Sequence, residues 1–147
     1  MPLLQESDIT VRGRNGNVVL VGECRNALNL DRESAQWIYD RQLVNFQRSA
    51  PYLLLMSQDH GYLWSSPAQP GQPPAFEFAM APVIQRYAPE LGAEDRLLGS
   101  QLDLVVGQWL SELSVGLVGE TEAEEALRSA GVIAALQGAD ISLEAAA

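Results

Sequence analysis

Two β-forming runs meet at Asn15-Gly16, and this dipeptide constrains the fold more than any other feature of the chain. Residues 8–14 and 17–25 are rich in Ile, Val and Leu. Asn-Gly between such runs is the strongest short-range hairpin signal, because a type I′ turn needs positive φ at both central residues. If the loop has two residues, Arg14 pairs with Asn17 and opposed residue numbers sum to 31. Asp8 then faces Glu23, and Glu6 faces Arg25. Side chains alternate along a strand, so these four share one face of the hairpin, while Cys24 takes the other with Ile9, Val11, Val18 and Leu20.

The hydrophobic period changes at Asp31. Ala35, Ile38, Tyr39, Gln42, Leu43 and Phe46 recur at helical spacing after Asn29 or Asp31 as N-cap, and the helix should end near Arg48, before Pro51. Residues 52–57 read as a buried strand, with residues 61–65 returning across Gln58, Asp59 and His60. A strand, a helix and a further strand form a crossover, which requires a mixed sheet.

Residues 66–75 read as a Pro-rich surface loop. Beyond it, residues 81–88, 97–113 and 122–130 read as helices, the last opening on a Thr121–Glu124 capping box, and residues 139–144 as a short final strand. The expected fold is α/β, a mixed central sheet of about four or five strands flanked by helices on both sides. The 147 residues fit one domain: a core at 1–65, the loop at 66–75, and a mainly helical, acidic part at 76–147.

Composition narrows the function classes. Net charge is −10 and every basic residue is an arginine. Residues 1–60 carry seven acids and six arginines, against twelve acids and three arginines in residues 61–147. This balance argues against loose, charge-driven nucleic-acid binding, which needs many phosphate contacts, and leaves room for a small arginine-lined site in the first half. The longest apolar runs fall far short of the ~20 residues that span a bilayer, so no membrane partner is expected. A single cysteine and no recognisable signal peptide point to a reducing cytoplasm.

The facing acids carry the candidate chemistry. Opposed like charges destabilise a strand pair unless something neutralises them, and a divalent cation would do so. Mg²⁺ suits one or two carboxylates with water and phosphate oxygens completing its shell. The alternative is that Asp8 merely opens an edge strand while Glu23 pairs with Arg25 or another arginine. Arg12 and Arg14, placed on the carboxylate face, could guide a phosphate.

Ser7-Asp8, a hairpin, Glu23-Cys24-Arg25 and the following helix and strand resemble the PD-(D/E)XK, or restriction-endonuclease-like, superfamily. The resemblance covers about residues 6–65. It implies that Asp8 and Glu23 hold Mg²⁺, with Mn²⁺ as substitute, to activate a water against a phosphodiester. Arg25 would stand where the family usually has lysine. Arginine can stabilise an anionic transition state but cannot transfer a proton. The helix carrying Gln36, Tyr39 and Gln42 resembles the Gln/Tyr helix of some nuclease subfamilies, with a different spacing.

Family members normally place a helix and a strand before the first acid, so either another chain completes the sheet here or the fold is reduced. Residues 51–64 and the C-terminal helices are also similar to bacterial single-domain proteins of no assigned function. Two readings follow: a metal-dependent nuclease with catalytic residues Asp8, Glu23 and Arg25, or an inactive module of the same fold that binds a protein partner or a second copy as a homodimer.

The remaining features read as structural. Cys24 is expected to be a buried thiol and His60 a turn residue. Trp37, Trp64 and Trp109 read as core or interface, and the acidic run at 120–125 as solvated capping of a helix N-terminus.

Overall fold

The computed structural model describes residues 8–25, 30–47, 50–92 and 94–143. Six strands form one mixed sheet: β1 (Ile9–Arg12), β2 (Val18–Cys24), β3 (Tyr52–Met56), β4 (His60–Ser65), β5 (Phe76–Ala79) and β6 (Asp140–Leu143), in the order β5-β4-β3-β2-β1-β6. Only β2 and β3 run parallel, joined by the crossover; the other neighbours are antiparallel. The expected α/β class holds, with one strand more than the sequence suggested. The addition is β5, whose Phe-Glu-Phe-Ala follows a Pro-rich stretch too closely to announce itself as a strand.

The crossover helix begins on Asp31, whose side chain accepts from the Ser34 amide at 2.8 Å, one of the two expected caps. It runs as α1 (Arg32–Ile38), a π-helical segment (Tyr39–Leu43) and α2 (Val44–Gln47). The expected end at Arg48 and the alternative cap Asn29 lie outside the described residues. This helix covers one face of the sheet, where Leu30, Ala35, Tyr39, Leu43 and Val44 bury Val21, Leu53, Leu55, Tyr62 and Trp64. Tyr39 stacks flat on Trp64 with ring centres 4.3 Å apart.

The other face carries α3 (Ala81–Tyr87), α4 (Gly99–Ser114), α5 (Glu122–Ser129) and α6 (Val132–Leu136). Val83, Ile84, Leu102, Val106, Trp109, Leu110 and Leu127 pack there on Ile9, Val11, Leu20, Leu54, Met56 and Leu63. Because β3 is covered on both sides, Leu53 through Met56 are all buried, which is why the segment reads as a continuous apolar run rather than an alternation.

The outer edge of β1 needs no second chain to complete it: β6, the expected final strand, pairs along it in antiparallel register, Ile9 opposite Leu143 through Arg12 opposite Asp140. Trp37 is no core residue; it is 53% exposed, with the Arg41 guanidinium 5.0 Å from its ring centre. The acidic run at 120–125 is not uniformly solvated. Glu124, the capping-box residue, is fully buried and accepts from both Arg86 guanidinium nitrogens at 2.8 and 2.9 Å, from the Thr121 hydroxyl and from the Gly119 amide. A buried carboxylate is tolerable only with such compensation.

Candidate metal centre at the end of the hairpin

The β1–β2 turn departs from the two-residue loop. Within the turn Gly16 alone takes positive φ, and among the described residues no residue other than glycine does so, so the turn is not type I′. Asn15 instead uses its side-chain oxygen to accept from the Asn17 amide at 3.0 Å, and the Gly13 amide donates to the Asn17 carbonyl. Arg12 therefore pairs with Val18, one position out of the expected register. A bulge at Val19 takes up the difference: Val11 opposes Leu20, Thr10 opposes Val21 and Ile9 opposes Gly22. The bulge also moves Val18 to the face under the crossover helix, against expectation, while Val19 joins Ile9 and Leu20.

With the register restored, Asp8 and Glu23 meet as expected. The Asp8 amide donates to Glu23 Oε2 at 2.7 Å, and the Cys24 amide donates to Asp8 Oδ2 at 2.9 Å. Each acid thus caps the other strand's backbone where the ladder ends. Glu23 is buried; loss of solvent is the main cause that raises its carboxyl to about 7, and the adjacent Asp8 charge adds to it. The Asp8 amide and Arg25 act in the opposite direction.

Arg25 follows β2 and reaches back over this pair. Its Nη2 donates to Gln42 Oε1 at 2.8 Å and lies 3.6 Å from Glu23 Oε1. Gln42 sits in the π-helical segment, the kind of widened turn that recurs at functional sites. Glu6, the expected partner of Arg25, lies outside the described residues. Tyr39 and Gln36 do not join the cluster. The Tyr39 hydroxyl donates to Gln47 Oε1 and the Gln36 amide serves Asp40 and the Gln72 carbonyl.

Arg12 and Arg14 are not beside the acids. Arg12 bonds the Gly16 carbonyl at the turn, and the Arg14 guanidinium lies against Gly138. Four residues of strand separate Arg12 from Asp8, roughly 13 Å along the chain, so neither can touch a phosphate bound at the carboxylates.

Asp103 of α4 is the residue that sequence reasoning missed. It is buried, and one oxygen each of Asp8 and Asp103 lies with the Cys24 sulfur within 4.8 Å of one another. The helix comes this close because Gly107, one turn further on, has no side chain: a Cβ there would stand 2.8 Å from Leu143 of β6. A signal was present, since Asp103 shares a helical face with Val106, Gly107 and Leu110 and is the one charge on that stripe. Burial pushes the Cys24 thiol well above its ordinary value, the neighbouring carboxylates push it further, and burial raises Asp103 as well. Cys24 packs against the sheet core as expected but is only partly buried, and its sulfur lies near the Asp8 carboxylate rather than on the opposite face from it.

His60 opens β4 opposite Ala79 and takes no part. Among the described residues no helix is long and apolar enough to cross a membrane. Compared with known proteins, the chain matches no family model, no curated protein and no solved structure.

Proposed function

We propose that the protein is a divergent metal-dependent phosphodiesterase of the restriction-endonuclease-like kind, with nucleic acid as substrate. The observation that carries this reading is the meeting of Asp8 and Glu23 through reciprocal bonds to each other's strand at the open end of the hairpin. Two carboxyls packed together, with one arginine 3.6 Å from Glu23, fit a hard divalent cation; the raised carboxyl of Glu23 reflects its burial first and then the Asp8 charge. Mg²⁺ held there by Asp8 and Glu23 would supply Lewis acidity and an activated water.

The protein's own groups divide the remaining work. Asp8 and Glu23 would fix where that ion sits, and the attacked phosphate could approach the two carboxylates only through it. Arg25, held at one nitrogen by Gln42, presents positive charge beside Glu23 where the attacked phosphate gains charge. Because a guanidinium keeps its protons, the proton of the attacking water must leave to solvent or to a phosphate oxygen rather than to Arg25. The acidic surface disfavours long polyanion tracks, so a short single contact region suits this chain better than a processive groove. A free Cys24 suits a reducing cytoplasm.

The test is calorimetric titration of Mn²⁺ and Mg²⁺ into the wild type and Glu23→Gln, followed by cleavage assays on single- and double-stranded DNA and RNA. Binding that the substitution removes, with cleavage that Arg25→Lys strengthens, supports the reading. Metal bound without cleavage of any substrate turns the assignment to a non-catalytic module, for which light scattering would look for a homodimer.

A further inference from the structure

We propose that Asp8, Cys24 and Asp103 form a second cation position behind the Asp8–Glu23 pair, built for a borderline transition ion such as Zn²⁺ and distinct from the Mg²⁺ position. Asp103 on α4 is buried. Its Oδ1 is buried without a hydrogen-bond partner, and neither Asp103 nor Asp8 has an ion-pair partner among the described residues. A buried carboxylate oxygen left so is destabilising, and native proteins pair such groups or use them to coordinate metals. Glu124 shows the usual solution in this same chain, with a guanidinium, a hydroxyl and an amide around it. Asp103 has none of these: the Cys24 thiol is its one hydrogen-bonding side chain, Asp8 adds like charge, and Oδ1 is left without a partner.

The spacing fits an ion. A tetrahedral ion with bonds of about 2.0–2.3 Å holds its ligands roughly 3.5 Å apart. The three ligand atoms already lie within 4.8 Å of one another, so closing the set asks for shifts of about 1 Å. Two carboxylate oxygens and one sulfur leave a fourth position for water. The sulfur decides the kind of metal: thiolate favours Zn²⁺ and Co²⁺, whereas carboxylate and water alone suit Mg²⁺ and Mn²⁺. On binding, the thiol proton passes to solvent and the ion takes its place beside the carboxylates. Asp8 is shared by the two positions, Glu23 belongs to the first and Asp103 to the second.

The position requires neither hydrolysis nor a substrate, so it can be tested apart from the proposed activity. Co²⁺ titrated into the reduced full chain should produce a thiolate-to-cobalt charge-transfer band, displaced by Zn²⁺. The band should persist in Glu23→Gln, vanish in Cys24→Ser, and need at least about tenfold more Co²⁺ in Asp103→Asn, since even loss of an outer-sphere partner costs about 10–100-fold. If Asp103→Asn does not fold by circular dichroism, Asp103→Ala gives the same reading. Absence of the band in folded wild type overturns the proposal. So does a band indifferent to both Asp103 variants, or one that Glu23→Gln abolishes. A persistent band with no nuclease activity removes the proposed function and leaves this site standing; Mg²⁺-dependent cleavage with no band does the reverse.

Discussion

Replacing Glu23 by glutamine should stabilise the protein at neutral pH, by an amount that grows as pH rises. The Glu23 side chain is 7% exposed, and its carboxyl titrates at about 7 rather than at the ordinary 4.5, first because burial penalises the charge and then because Asp8 lies against it. An acid raised in this way holds its proton more tightly in the folded chain than in the unfolded one. Its favourable contribution is complete below pH 4.5, falls as pH climbs through the interval to about 7, and is gone above it. At about 1.4 kcal/mol per pKa unit, the wild type forfeits about 3 kcal/mol across that window. Glutamine keeps an oxygen for the Asp8 amide and has no charge to bury. Urea melts of both proteins from about pH 4.5 to 8.5 should therefore coincide at the acid end and diverge by about 2–3 kcal/mol at the alkaline end, with m unchanged. Millimolar Mg²⁺ should narrow the gap by stabilising the wild type alone. A difference that stays constant with pH, or a glutamine variant weaker than wild type at the alkaline end, would refute the reasoning.

Glu124→Ala removes the partner of Arg86 and six accepted hydrogen bonds, two each from Arg86 and Thr121 and one each from Trp109 and Gly119, and should cost about 3–5 kcal/mol in urea unfolding. The Arg86 and Thr121 bonds hold the Glu124 carboxyl far below its ordinary 4.5 despite burial. Its stabilisation is present above pH 4.5 and lost as pH falls below it, so the variant should show a flatter acid limb in thermal melts. Gly107→Ala drives a methyl to 2.8 Å from Leu143 and should cost about 1–3 kcal/mol; no loss in urea unfolding would mean that α4 is free to shift off β6. Tyr39→Phe keeps the stack on Trp64 but strips Gln47 Oε1 of its donor, and should cost about 1–3 kcal/mol by the same assay.

The candidate site was half legible in the sequence. Asp8 opposite Glu23 follows from strand alternation across a two-residue turn, and the pairing holds in a different turn because the bulge at Val19 restores the register. Arg25 beside Glu23 followed from the same alternation. Gln42 reaches Arg25 only because a π-helical segment sits beside β2, and helical periodicity carries no trace of that turn. Asp103 lies ninety-five residues from Asp8 along the chain. Its place depends on how closely α4 approaches the sheet, which Gly107 permits but does not announce.

Local chemistry determined the elements themselves. Asp31 and Thr121 start helices because their side chains accept amide bonds that the first helical turn leaves open, and β3 is apolar throughout because both its faces are covered. These preferences act over a few residues, so the sequence states them directly. The tertiary structure decided what no short-range preference reaches: β6 returning to cover β1, Glu124 enclosed by Arg86 rather than solvated, and Asp103 brought against Cys24 and Asp8. Each rests on burial shared between distant segments, where the desolvation of a charge is set by which partners the packed elements place around it.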